Sequence, residues 1–216
     1  MQRPMVVPPN LLRSVMEDPK AAFRRQCRGA RRAFVEMLSM AVRERLENDL
    51  AAIVAPLLGG HRIIASYAAV DPEIDPRSVE AIARSISSSH EVLAEAGVVI
   101  AFPRVNGRTM AFHTATRPDL VPRTLGIPEP DAGAPQVIPS LLLVPLLAVT
   151  TAGVRLGQGG GYYDRTLRSL RATGAITAIG LAWDVQVTDA LPRDPWDEVL
   201  DWVATPTRLV DCRKAR

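Results

Sequence analysis

Lysine is almost absent from this 216-residue chain: Lys20 and Lys214 are the only two, and the other 24 of its 26 basic residues are arginine. The 23 acidic residues are interspersed among them and the net charge is +3, which suits anionic small ligands but not the continuous basic stripe of a specific nucleic-acid binder. Cysteine is as scarce. Cys27 and Cys212 lie near opposite ends, so they support neither a disulfide framework nor a zinc site, and a reducing cytoplasmic setting is expected. Residues 1–19, MQRPMVVPPNLLRSVMEDP, carry no continuous apolar run behind a basic start, so no secretory signal is expected. Residues 132–154 are uncharged over a bilayer's length, yet Pro135, Pro139 and Pro145 interrupt them and the apolar heart, 141–147, is only strand-long. No membrane partner is therefore expected. What remains, 47% apolar and 23% charged residues, is the make-up of one folded globular domain.

The chain divides into a Pro-rich leader over 1–18, an α/β domain over 19–210 and a short basic tail over 211–216. From Pro19 a helical pattern runs through KAAFRRQCRGARRAFVEML, with a second run to about Leu58. After Gly59-Gly60 the texture alternates. Strands are predicted at 62–67, 98–102, 141–147, 176–183 and 202–204, a half-buried alternating segment at 109–114, and helices at 76–95 and 162–173. That alternation implies a mostly parallel sheet with helices on both faces, a three-layer α/β/α domain preceded by an N-terminal helical segment.

Chemistry concentrates in GVRLGQGGGYYDR, residues 153–165. Glycines at 157, 159, 160 and 161 free backbone amides to turn toward a ligand, and the helix that follows offers unpaired N–H groups and a positive dipole end. The spacing is neither that of a P-loop nor that of a dinucleotide fingerprint. Arg155 supplies a phosphate fork, Asp164 a hard oxygen for magnesium, and Tyr162 and Tyr163 are two of only three tyrosines.

RLGQGGGYYDR resembles the RLG-x-G-x-GYYD signature of the 5-formyltetrahydrofolate cyclo-ligase family, also called methenyltetrahydrofolate synthetase. Weaker matches follow in order: Lys20-Ala-Ala-Phe-Arg24, Tyr67 with Glu73-Ile74-Asp75, Phe102-Pro103-Arg104, Gly180-Leu181-Ala182-Trp183 with Gln186, and Trp196-Asp197-Glu198-Val199. The resemblance implies a monomeric enzyme that uses ATP and Mg2+ to close 5-formyltetrahydrofolate into the 5,10-methenyl form. It further implies that Lys20, Arg24 and the loop Arg155, Leu156, Gly157, Gln158, Gly159, Gly160, Gly161, Tyr162 and Tyr163 hold ATP, with Lys20 and Arg155 as catalytic cations. Asp164 and Asp197 would bind the metal. Tyr67, Ala68 and Glu73 would form the folate pocket, and Gln158 to Tyr162 would border it.

Residue by residue, simpler readings stand beside these. Lys20 and Arg24 could be solvated helix charges, Glu73 a cap for the helix after Pro76, Asp197 a surface turn, and Tyr67 a core residue. Trp183 and Trp196 read as packing, and no histidine is given a role. Three positions depart from the family pattern: Val149 stands where a Phe is usual, Thr150 where an Asp is usual, and Gln158 where an aromatic or basic residue is common. The last two motivate a second reading, a folate- or nucleotide-binding relative with little turnover.

Overall fold

The computed structural model describes residues 19–89, 97–123 and 126–215; the leader lies outside them. Helix α1 (Pro19–Glu36) opens with proline at its first position, where the missing N–H costs nothing. Helix α2 (Met40–Val54) is separated from it by Ser39, whose hydroxyl accepts from the Val42 N–H at 3.3 Å. Strand β1 (Ile63–Ala65) leads to α3 (Arg77–Ser89) and then to β2 (Val99–Asn106) and β3 (Thr109–Thr114). The short pair β4 (Val121–Pro122) and β5 (Pro128–Glu129), then β6 (Gln136–Val137), precede the central strand β7 (Leu141–Pro145). A hairpin of β8 (Ala148–Val149) and β9 (Arg155–Leu156) carries the chain into α4 (Tyr162–Thr173), followed by β10 (Thr177–Leu181), β11 (Trp202–Ala204) and β12 (Leu209–Asp211).

The eight-stranded sheet has the order β12-β11-β10-β7-β1-β2-β3-β6. Its five central strands are parallel, and β12 on one side and β3 and β6 on the other pair antiparallel. The expected three-layer α/β architecture is therefore present, with antiparallel edges added. Side chains alternate between two cores, as a period of two requires. Ile64, Ile100, Phe102, Leu141, Leu143, Ile179 and Leu181 pack with Leu50, Val54, Val79 and Ala83 of α2 and α3. Ala65, Ala101, Leu142, Val144, Ala178 and Val203 face Leu167 of α4. The second face is built from smaller residues, which lets α4 and its N-terminal loop lie close to the sheet.

From β1 the chain steps to β2 on one side and later returns to β7 on the other. That reversal leaves a crevice beyond the carboxyl ends of β1 and β7, the place where open parallel sheets bind ligands. At the start of the segment 211–216, Asp211 belongs to β12 and pairs with Trp202, and Cys212 is fully buried. No described helix is long and apolar enough to cross a membrane.

Candidate active site

One face of α1 lies over the glycine loop and presents four cations at helical spacing, Lys20, Arg24, Arg28 and Arg31. Each reaches a different part of the crevice. Lys20 Nζ bonds Asp194 at 2.7 Å and Asp197 at 2.5 Å. Arg24 Nε donates to the Gly157 carbonyl at 3.0 Å, and Arg28 gives Nε and Nη2 to Gln158 Oε1 at 3.0 and 2.9 Å. Arg31, 4% exposed, donates to the Leu146 carbonyl at 3.2 Å and faces Glu73 at 3.7 Å. Nε of Arg31 is the one buried side-chain nitrogen or oxygen without a hydrogen-bond partner among the described residues.

Beneath these cations the loop turns through Gly159 at φ +108° and Gly161 at φ +64°, left-handed values that only glycine adopts readily. A Cβ on Gly159 would stand 3.4 Å from the Arg24 guanidinium, so α1 lies directly over this turn. Gly161 caps α4 with no side-chain bond to the first amides of that helix. Arg165 stacks on Tyr162 and donates to the carbonyls of Gly160 and Arg108, pinning the loop to the β2–β3 turn.

The end of the site around Lys20 is a set of mutually neutralised charges. Arg155 is 8% exposed; its Nη1 donates to the Glu198 carbonyl and its Nη2 to Asp164 at 2.7 Å. Asp164 Oδ1 also accepts the Glu198 N–H at 3.1 Å, and Asp197 Oδ2 the Asp194 N–H at 2.8 Å. Burial works against the Asp197 carboxylate, but the Lys20 and Asp194 hydrogen bonds outweigh it and hold its pKa below the usual range. Burial opposes the Lys20 ammonium as well, and its two acid partners raise it on balance. Asp164 engages Oδ1 and Asp197 engages Oδ2 in these hydrogen bonds, which leaves the second oxygen of each as a hard donor. No group of three or more metal-ligating side chains occurs among the described residues; magnesium asks for only one or two carboxylates when phosphate and water complete its shell. The residues fit that ion.

The other end is a cleft of about 180 Å³ lined by Arg28, Arg31, Arg32, Glu73, Gln158 and the Val70–Pro72 turn. Glu73 accepts the Val70 N–H at 3.1 Å. Burial pushes its pKa up, countered by Val70, the Arg31 charge and a hydrogen bond from Gln158. Tyr67, 3% exposed, lies two residues beyond β1 and donates its hydroxyl to the Ile74 carbonyl at 2.7 Å, and Ala68 is buried beside it. Burial, and then the nearby Glu73 charge, drive the Tyr67 and Tyr163 phenols upward, so both stay neutral.

The residues expected at the site lie in different settings: Glu73 and Gln158 line the cleft, Lys20 meets Asp197, Arg155 meets Asp164, and Leu156, Tyr67 and Ala68 are buried. Glu73 does not cap α3; Asp75 does that, accepting the Arg77 N–H at 3.0 Å. Arg155 sits behind the loop, and reaching a phosphate requires it to exchange a partner. Trp183 packs as expected, fully buried against Phe34, whereas Trp196 is 59% exposed and is not core. Thr150 accepts the Val154 N–H at 3.2 Å and closes the β8–β9 turn. On sequence alone Arg28 and Arg31 belong, with Arg24 and Arg32, to a mostly solvated arginine face of the first helix; the burial of Arg31 at 4% exposure corrects that, while the i, i+4, i+8 spacing that continues from Lys20 is the signal that points to Arg28, and Asp194 carries no sequence signal.

A profile of the 5-formyltetrahydrofolate cyclo-ligase family matches residues 17–206. The 5-formyltetrahydrofolate cyclo-ligase of Escherichia coli K12 is 35% identical over 107 residues, 48% of this chain and 58% of that protein. The Mycolicibacterium smegmatis cyclo-ligase is 43% identical over 68 residues, 32% of this chain and 34% of its own. These alignments therefore span between a third and three fifths of the curated relatives. Among solved structures, the Aquifex aeolicus 5,10-methenyltetrahydrofolate synthetase superposes with a TM-score of 0.71 at 25% identity, covering 91% of this chain and 94% of that one. The Mycoplasma pneumoniae 5,10-methenyltetrahydrofolate synthetase shares the fold, with a TM-score of 0.64 at 22% identity over 88% and 99% of the two chains. With a profile match that runs from the start of α1 past the end of β11, the chain belongs to the 5-formyltetrahydrofolate cyclo-ligase family.

Proposed function

We propose that this protein is an ATP- and magnesium-dependent ligase that closes 5-formyltetrahydrofolate to 5,10-methenyltetrahydrofolate, releasing ADP and phosphate, and that it works as a single chain in a reducing compartment. The observation that carries the reading is the α1 cation row, which runs from the Asp194–Asp197 acids, across the glycine loop, to the Glu73 cleft. A phosphate chain and a ring with N–H donors would then lie end to end under one helix.

The formyl oxygen is a poor leaving group. Transfer of the terminal phosphoryl group to it, attack by the folate N10 on the activated carbon and departure of phosphate balance the reaction. The protein's share is alignment and charge. Glu73 would take the N–H edge of the pterin, with Tyr67 and Ala68 forming the wall. Amides between Gly157 and Gly161, together with Lys20 and Arg24, would grip the phosphates. Asp164 and Asp197 would hold magnesium, which supplies Lewis-acid neutralisation of phosphate charge when bound. Lys20 pairs with Asp197 and Arg155 with Asp164; with magnesium held by those two carboxylates, Lys20 and Arg155 would be available to phosphate oxygens. Purified protein given 5-formyltetrahydrofolate, ATP and magnesium should develop the near-ultraviolet absorbance of the methenyl product. Folate binding with no such band would favour the binding-only relative instead.

A further inference from the structure

Arg31 is a buried charge whose donors the ligand-free protein leaves largely unused. It lines the Glu73 cleft at 4% exposure, and burial lowers its pKa, with the Glu73 charge the largest opposing influence. Nη1 is its one hydrogen-bonding nitrogen among the described residues, and the Leu146 carbonyl it meets also accepts Gln186 Nε2 at 2.8 Å, so that carbonyl does not depend on the arginine. The nearest Glu73 oxygen stands 3.7 Å from Nη1, beyond hydrogen-bond length. Nε is shut away from water without an acceptor. A guanidinium nitrogen in that state costs desolvation that no protein contact offsets. The Nε/Nη2 edge of Arg31 therefore calls for an acceptor brought from outside.

Building on the folate reading above, we infer that Arg31 is a specificity-determining residue: its free edge donates to the 4-oxo group of the pterin while Glu73 accepts the neighbouring ring N–H groups. The ring has the matching pattern. Along one edge a 2-amino-4-oxo ring carries two donors, the 2-amino group and N3–H, beside one acceptor, O4. Glu73 and Arg31 offer an acceptor and a donor 3.7 Å apart on the lining of one cleft, so a single edge can meet both. A 2,4-diamino ring puts an amino donor where O4 would lie, and donor would face donor beside a buried cation. The other two cleft arginines do not compete for this role: Arg28 and Arg32 are exposed, and Arg28 is engaged by Gln158.

The test is calorimetric Kd for 5-formyltetrahydrofolate and for its 4-amino-4-deoxy analogue, with magnesium and a non-hydrolysable ATP analogue present, in the wild type, Arg31→Met and Arg31→Lys. The wild type should bind the oxo ligand at least about tenfold more tightly than the amino one. In Arg31→Met the oxo ligand should weaken about 10- to 100-fold while the amino ligand holds or gains, so the preference shrinks. Lysine, which keeps a cation and a donor, should restore part of it. Thermal melting and an unchanged Kd for the ATP analogue check that Arg31→Met is folded; where it is not, the wild-type preference and Arg31→Lys decide. Equal affinity for the two ligands in the wild type, or an equal weakening of both in Arg31→Met, would overturn the Arg31 assignment alone. Failure of the wild type to bind either ligand would overturn the underlying folate reading together with it.

Discussion

The two ends of the crevice solve the burial of charge in opposite ways. Around Lys20 each charged group meets an opposite one at 2.5–2.7 Å, and the side chains of Lys20 and Asp197 are each 15% exposed. Around Glu73 the carboxylate sits under a guanidinium 3.7 Å off and takes its hydrogen bond from the uncharged Val70 N–H. The first arrangement is complete until a ligand exchanges its partners. The second holds a charge at a cost and recovers it from the ligand. The phosphate end should therefore respond to ionic strength and metal, and the ring end to pH.

The largest expected effect breaks the first end. Asp164→Asn removes a hard oxygen and weakens the hold on buried Arg155, so turnover at limiting magnesium should fall about 100- to 1,000-fold, the equivalent of several kcal/mol of charge stabilisation. Steady-state rates across a magnesium titration check this, and an unchanged rate would remove Asp164 from the metal site.

Next, Glu73→Gln should raise the folate KM about 10- to 100-fold, with little change in the ATP KM. The same variant should melt higher at neutral pH. Because the folded pKa of Glu73 is raised above 4.5, the native state retains a proton that the unfolded chain has lost, and stability drains away as pH climbs through that interval. The gain should vanish below pH 4.5, where both states are protonated. The Lys20–Asp197 pair behaves differently. Asp197 contributes stability that is lost only as pH falls below its usual 3.8, and Lys20 contributes stability lost only as pH rises past its raised value above 10.5. Its contribution should be flat across the neutral range, which thermal melts of Lys20→Met against wild type would read.

Lys20→Ala should raise the ATP KM about tenfold, and the gap should shrink at high salt, where screening already weakens the exposed half of the contact. A loss shared equally by ATP and folate would mean that α1 as a whole had detached. Smallest of all, Thr150→Val should cost about 1 kcal/mol of stability through the lost Val154 bond and leave both KM values alone.

Much of this was legible where the information is local. The helix over 162–173 and the strand at 202–204 coincide with the observed elements, because glycine and a buried apolar run mark their ends. The strand expected to reach residue 147 stops at Pro145 and folds into the β8–β9 hairpin, a turn set by Thr150 and Gly153 that no periodicity betrays. The expected helix over 76–95 is α3 as far as Ser89, and its remainder lies outside the described residues. The glycine loop declared itself by composition. Lys20, Arg24 and Glu73 did not; as isolated charges they resemble solvated ones, and only the family resemblance separated them. Asp194 escaped altogether, and Arg31 reads as part of a solvated arginine face although it is buried, because what defines both is contact across the fold.

Lys20 and its acid partners are 174 and 177 residues apart in the chain. During synthesis the first helix is made long before the segment it must clasp, and the sheet between them can close while that clasp is still missing. A nascent chain halted before residue 194 would own the glycine loop and the Glu73 cleft yet lack the acids that anchor α1, so competence arrives with the last strands to leave the ribosome.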